Sequence, residues 1–367
     1  MQALLVLEDG FSLWGEVFSG KGEVFGEVVF NTSMTGYQEM VTDPSYRGQI
    51  LTLTCPLVGN YGVNQEDAES AGPTVDGFLI RENCRRPRNR RATEALDSYL
   101  NRHNIIGAEG IDTRSLTLHL RSAGTMFGAI STLESDPQTL LNKVIAAKEK
   151  YDRDLVAEVS CDNLYHWDSS HKGYHVVVYD FGVKYSILRR LAQRGCRVTV
   201  VPHRTTAAEV LAMQPAGVLL SNGPGDPVDQ LAVVPEIKAL LGRVPIFGIC
   251  LGHQLLALAL GFSTFKLTFG HRGGNHPVKD LVTGKVQITS QNHGYCVRLD
   301  EKTVETMPTH INLNDGTLEG LENHNLRCFS LQYHPEAAPG PHDSVYLFDK
   351  FMKMIEETWQ KGAEQDA

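Results

Sequence analysis

Short apolar runs separated by polar turns dominate the first 150 residues. Leu4–Leu7 and Ser12–Phe18 flank Asp9-Gly10, a hairpin-type turn signal, so two paired strands are predicted. Further strand-like runs follow at Gly26–Phe30 and Gln49–Thr54, with the polar loop Thr42-Asp43-Pro44-Ser45-Tyr46 between them. Thr93–Asn101 and Thr113–Ser122 have helical spacing. Asp112-Thr113 suits the start of the second helix and Gly124 its stop. A mixed α and β domain over residues 1–150 is the expectation.

The pattern changes at 148–173, where charged and polar residues such as Asp152-Arg153-Asp154 and Asp168-Ser169-Ser170-His171 accumulate. We place a linker region at 151–173 and a second domain at 174–367. In that second stretch strands and helices alternate. Strands are predicted at His175–Tyr179, Arg197–Val201, Gly217–Ser221 and Pro245–Ile249. Helices are predicted at Tyr185–Gln193, Ala207–Met213, Val233–Leu241 and His253–Ala259. Alternation of this kind implies an α/β fold with a mainly parallel sheet covered on both faces. Such sheets carry their sites at the carboxyl ends of the strands.

A chain of 367 residues, 42% hydrophobic and 21% charged, can bury ordinary cores and fits two or three domains. Its net charge of −9 disfavours bulk binding to nucleic acid or an anionic membrane. The basic run Arg85-Arg86-Pro87-Arg88-Asn89-Arg90-Arg91 departs from that balance and is expected to be a solvated loop or a contact for a partner protein. Seven cysteines without a C-x-x-C pair suit free thiols in a reducing compartment, and no zinc-type spacing is visible. The opening run Ala3–Leu7 is too short, and too soon followed by acid residues, for a signal peptide. No apolar run approaches the roughly 20 residues of a membrane helix. A soluble, cytoplasmic protein is therefore expected.

Chemistry concentrates at a few strand ends. Gly248-Ile249-Cys250-Leu251-Gly252 is a G-x-C-x-G between an apolar strand and an apolar helix, the thiol form of a nucleophile elbow. The tight turn needs small residues at Gly248 and Gly252. Amides opening the following helix favour a thiolate and can hold an oxyanion. Among fourteen histidines, His334 is the best base: it ends a strand-like run from Cys328, and Pro335 biases it to extended backbone. Two residues on, Glu336 shares its face and can orient the ring. His253 beside the elbow is the rival base, more simply read as packing or capping. His271 and His276 raise the question of a metal, but their spacing fits no common site and a shaped loop, 270–277, is expected. Ser221-Asn222-Gly223-Pro224-Gly225-Asp226-Pro227 gives a rigid bend with exposed amides, suited to an anion and lacking the Gly-Lys-Ser/Thr of a nucleotide loop. Ser290–Tyr295 is expected as a polar turn between two strand-like runs.

Together GICLGHQ (248–254), SNGPGDP (221–227) and HPE (334–336) resemble the three signatures of class I, triad-type glutamine amidotransferase domains. LEDG, GEVVFNTSMTGYQEMVTDPSY, GNYGV and IDTRSLT in the first half are similar to the domain peculiar to the small, glutaminase subunits of carbamoyl-phosphate synthetase. FGHRGGNHPVKD, SQNHGY and HPEAAPGPHD extend the resemblance over nearly the whole chain. It implies a class I amidotransferase domain with a mainly parallel sheet flanked by helices, and a smaller mixed α/β N-terminal domain. It further implies that Cys250 attacks the side-chain amide of L-glutamine, His334 is the base, and Glu336 orients it. Gly223 and Leu251 would hold the oxyanion. Gly223, Gly225, Leu251, Gln254, Asn292, Gly294 and Tyr295 would line the glutamine pocket, with Ser45 reaching in from the first domain. Position 295 is Tyr where many members have Phe, which keeps the aromatic wall.

The resemblance implies no metal or organic cofactor in this chain. ATP and Mg, with bicarbonate, would belong to a large synthetase subunit that receives ammonia through an internal tunnel and makes carbamoyl phosphate for arginine or pyrimidine synthesis. A heterodimer, or an oligomer of heterodimers, is the expected assembly. Two other readings remain open: the same chemistry feeding another synthase, such as those for anthranilate or guanylate, and a non-catalytic scaffold that keeps the fold. The first-domain motifs weigh against the former, and the intact Cys250, His334 and Glu336 against the latter.

Overall fold

Around the Asp9-Gly10 turn, Gln2–Leu7 pairs antiparallel with Ser12–Ser19, with Val6 opposite Ser12. The other side of Gln2–Leu7 pairs with Met126–Ser131. Glu23–Asn31 then joins Met126–Ser131 antiparallel and Gln49–Leu53 parallel. Gly77–Leu79 and Ile106–Glu109 continue the parallel run, and Ile106–Glu109 returns antiparallel to Ser12–Ser19. The seven strands form a closed barrel, which removes open sheet edges. Side chains alternate between two cores: Ala3, Leu5 and Leu7 pack with Ile50, Leu79 and Ile130, while Leu4 and Val6 pack with Leu140 and Val144. The helix Thr113–Ala123 adds Leu116 and Leu120 to the first of these cores. Its start is capped by Asp112, which accepts the Ser115 amide at 2.9 Å, and it stops at Gly124, whose φ is 102°.

The structure, a computed structural model, describes residues 1–167, 170, 172–299 and 305–365, with side chains as far as 360. Asp168, Ser169 and His171 of the expected linker, and residues 300–304, 366 and 367 of the expected second domain, lie outside the described residues. The chain divides into two units: Met1–Leu155 with Thr268–Gly273, and Val156–Leu267 with Gly274–Ala367. No helix among the described residues is long and apolar enough to cross a membrane.

The second unit is built on a ten-stranded sheet. Its centre is parallel, in the order Cys328–Leu331, Ile246–Ile249, Gly217–Leu220, His175–Asp180, Arg197–Pro202. Helices Tyr185–Ala192, Ala207–Ala212, Val234–Leu240 and Leu251–Ala259 alternate with these strands, and Tyr346–Gln365 closes the chain. Successive strand residues again serve opposite faces. Val176, Val178, Phe247 and Ile249 pack with Leu188, Phe348 and Phe351, whereas Val177, Tyr179 and Ile246 pack with Ile237 and Leu255. This is the doubly covered α/β sheet that the alternation predicts.

Three local expectations need correction. Residues 270–277 are not a loop but part of the strand Thr264–Asp280, and Ser290–Tyr295 is not a turn but lies within the strand Val286–Val297. Both are polar along the chain yet largely buried, so composition suggests a loop where sheet pairing makes a strand. Thr32 and Thr125 satisfy part of the first of these strands, donating their amides to Arg272 O at 3.2 Å and Thr268 O at 2.9 Å. The strand before His334 also ends sooner than expected, at Leu331. His334 sits three residues beyond it, tied by its amide to Ser290 O at 3.0 Å.

Candidate active site

The strand Ile246–Ile249 passes into the helix Leu251–Ala259 through a single residue, Cys250, with φ 54° and ψ −105°. A side chain at positive φ is strained, and such strain persists only where its surroundings hold it. Here the hold is steric and polar. A Cβ at Gly252 would lie 2.2 Å from Leu220 O, and one at Gly248 would lie 2.7 Å from Gly252 O. The Gly252 amide donates to Ser221 O and the Cys250 amide to Leu331 O, each at 2.9 Å. The elbow is thereby pinned between the two strand ends that flank it.

Cys250 is buried, and its Sγ donates to Asn292 O at 3.7 Å and accepts from Gln332 Nε2 at 3.8 Å. His334 and Glu336 are buried with it, and His334 Nδ1 lies 2.7 Å from Glu336 Oε1. Lys184, at the start of the helix Tyr185–Ala192, reaches the same Oε1 with its Nζ at 2.9 Å. Among the described residues His334 Nε2 has no hydrogen bond of ordinary geometry, but the Cys250 thiol is near enough to influence the ring. Burial is the largest influence on the imidazole and depresses its pKa. The Glu336 charge, the nearby Cys250 thiol and the hydrogen bond to Glu336 outweigh that, against an opposing push from Lys184, so the net shift is upward. For Glu336 burial again acts first and raises the pKa, but Lys184 and His334 bring it well below the usual carboxylate range. The trio therefore favours a carboxylate beside an imidazolium next to the sulfur.

His253 is fully buried, its Nδ1 lies 2.8 Å from Ser330 Oγ, and burial, followed by His310, lowers its pKa to about 3. A ring so held has little proton affinity, so the rival base is the weaker candidate.

The other expected residues of the second unit lie on the helix, the strand and the loop around the elbow. Gln254 Nε2 donates to Tyr295 O at 2.8 Å and to Gln332 Oε1 at 3.1 Å, which joins the helix to the strand carrying Asn292, Gly294 and Tyr295. Leu251 opens the helix, where first-turn amides lack intrahelical acceptors. Gly223 lies against Phe181 and Leu251, and Gly225 turns the loop with φ 88°. Asn222 of that loop accepts the Lys184 amide through Oδ1 at 3.2 Å. Ser45 belongs to the first unit, as expected from its place in the sequence, in the one-turn helix Pro44–Tyr46, where Asp43 Oδ1 accepts its amide at 2.9 Å. Two residues escaped sequence reasoning. Lys184 follows a strand end, which is a usable hint, but its partner lies 152 positions away. Gln332 sits two residues before the candidate base and reads as ordinary strand.

Residues 5–130 match the family described as carbamoyl-phosphate synthase small chain, CPSase domain, and residues 177–354 match glutamine amidotransferase class-I. The carbamoyl phosphate synthase small chain of Syntrophotalea carbinolica is 53% identical over 373 residues, covering 98% of this chain and 99% of its own. The carbamoyl phosphate synthase pyrimidine-specific small chain of Bacillus subtilis is 51% identical over 99% of this chain and 98% of its own. The small chain of Bacillus caldolyticus is 52% identical over 99% of each.

Proposed function

Since the chain belongs to the carbamoyl phosphate synthase small-chain family, we propose that it hydrolyses L-glutamine through a cysteinyl thioester and supplies ammonia to a large synthetase subunit. The observation that carries this reading is the buried His334–Glu336 pair, 2.7 Å apart, beside a cysteine held at positive φ on a strand-to-helix elbow.

Cys250 passes its proton to His334, and the raised basicity of that ring favours the transfer. The thiolate attacks Cδ of glutamine. Negative charge builds on the amide oxygen, where the amides of Leu251 and Gly223 are the proposed donors. His334 then protonates the leaving nitrogen, the C–N bond breaks, and ammonia departs. Water gives a proton to His334 and attacks the thioester, glutamate leaves, and the proton returns to sulfur. Glu336 stays ionised throughout, holding the ring by Nδ1 and stabilising its charged form. Gln254, Asn292, Gly294, Tyr295 and Gly225 form the proposed glutamine pocket. The large subunit is the proposed site of ATP, Mg and bicarbonate chemistry.

The test is glutamate release by the wild type and by Cys250→Ser, each alone and with the large subunit, ATP and bicarbonate. The reading expects a slow wild-type rate that the partner raises, and no rate for Cys250→Ser. A wild type that stays inert with its partner, or an unimpaired Cys250→Ser, defeats it.

A further inference from the structure

Arg85–Arg91 sets five guanidinium groups within seven residues of a chain whose net charge is −9. Two of the five are neutralised locally. Arg85 Nη2 lies 2.8 Å from Glu109 Oε1, and Arg91 pairs with Asp67 and, at 3.2 Å, with Glu66. Arg86, Arg88 and Arg90 are exposed and hold no ion pair among the described residues. These three charges are therefore available to something outside the chain.

The loop that carries them is not slack. Cys84 donates its amide to Val58 O at 2.7 Å, Arg88 to Asn60 O at 2.9 Å, and Thr93 to Val63 O at 2.9 Å. Val58 faces Asn83, and Val63 faces Glu94, in short β-bridges. The whole run is thus stapled along Val58–Val63, and Ala92 closes it by donating its amide to Asn89 O at 3.1 Å. A loop already fixed loses little backbone entropy when it docks, and planar guanidinium groups match carboxylates two bonds at a time.

The size and setting of the patch select its occupant. At physiological ionic strength charges are felt over about 8 Å. A nucleic acid long enough to run beyond three arginines would meet the acidic remainder of the chain. A bounded acidic patch on a folded protein would not. We infer that Arg86, Arg88 and Arg90 form a docking surface for a carboxylate-rich patch on the large synthetase subunit, and that they steer its association. The inference rests on the glutaminase-subunit reading above, since that reading supplies the partner.

The experiment measures association of the full chain with the large subunit at about 50 and 500 mM salt, far apart on the screening scale. Three proteins are compared: wild type, Arg86→Glu/Arg88→Glu/Arg90→Glu, and the control Lys21→Glu/Lys172→Glu/Lys285→Glu, which reverses three exposed charges elsewhere and changes net charge equally. Steering predicts that the loop variant associates about tenfold slower or worse at low salt, that the deficit shrinks at high salt, and that the control stays near wild type. Glutamine hydrolysis by the free chain should be the same for all three. The neutral variant Arg86→Gln/Arg88→Gln/Arg90→Gln should fall between wild type and reversal. If the loop variant associates no more slowly than the control while the wild type binds, the docking surface is wrong and the glutaminase reading stands. If the wild type neither binds the large subunit nor hydrolyses glutamine, both fall.

Discussion

Lys184→Met removes the positive charge beside Glu336 while keeping most of the length of the side chain. Lys184 Nζ lies 2.9 Å from Glu336 Oε1, with the two side chains only 5% and 0% exposed. Breaking a buried ion pair by removing one partner costs about 3–5 kcal/mol, because the remaining charge has already lost its water. Glu336 keeps His334 at 2.7 Å, so the lower end, about 3 kcal/mol, is expected here. For a unit of roughly 200 residues that corresponds to about 6–12 °C in Tm. The kinetic effect has a separate sign. Lys184 is one of the groups that hold the His334 pKa down, so its loss makes the ring more basic. A more basic imidazolium gives its proton less readily to departing ammonia. Glutaminase kcat should fall, and the pH limb belonging to His334 should move to higher pH. Thermal unfolding and a pH–rate profile for glutamate release read the two effects independently. A variant with unchanged Tm and an unshifted profile would refute the claim that Lys184 sets the charge balance of the site.

Glu336→Gln probes the same pair through pH. The folded pKa of Glu336 is depressed, so its stabilisation is present above its ordinary value of 4.5 and is lost as pH falls towards the folded value. That of His334 is raised, so its share is full below 6.5 and is lost as pH rises through the folded value. The Tm difference between wild type and Glu336→Gln should therefore be largest between pH 4.5 and 6.5 and shrink on both sides. Gly252→Ala would force a Cβ to 2.2 Å from Leu220 O; backbone displacement costing about 1–3 kcal/mol or more should disrupt the elbow, seen as lost labelling by a glutamine-like chloroketone. That reagent should modify Cys250 in preference to the buried Cys196 and Cys328, with protection by glutamine, because burial pushes Cys196 up to about 11 and Cys328 up to about 12; peptide mapping that finds either of these labelled in place of Cys250 would contradict the assignment. Phe247→Ala should cost about 3–5 kcal/mol in urea unfolding, since Phe247 is fully buried and stacks on Phe329 at 4.4 Å.

What could be read along the chain was what the chain decides locally. Asp112 and Gly124 mark a helix because a carboxylate can cap the first turn and glycine tolerates a positive φ at its end. The elbow is legible for the same reason, its two glycines being demanded by atoms within a few residues or on the adjoining strand. His334 and Glu336 are two positions apart, which is enough to suggest one face. Closure of the first unit into a barrel is not legible in this way. It depends on Gln2–Leu7 finding Met126–Ser131, a pairing with no local signal in either segment. The polar strands Thr264–Asp280 and Val286–Val297 fail for a related reason. Several of their histidines, glutamines and asparagines are buried against partners distant in sequence, such as Gln291 with Glu319 at 3.0 Å and Gln287 with Tyr346 at 2.8 Å. Polar side chains that make hydrogen bonds inside the protein look, in one dimension, like side chains meant for water. Lys184 is the sharpest case: in sequence it is one more cation before a helix, and only the fold places it on the carboxylate that holds the candidate base. The candidate nucleophile and base could be found by spacing, whereas Lys184, which bears on their charge, could be found only by contact.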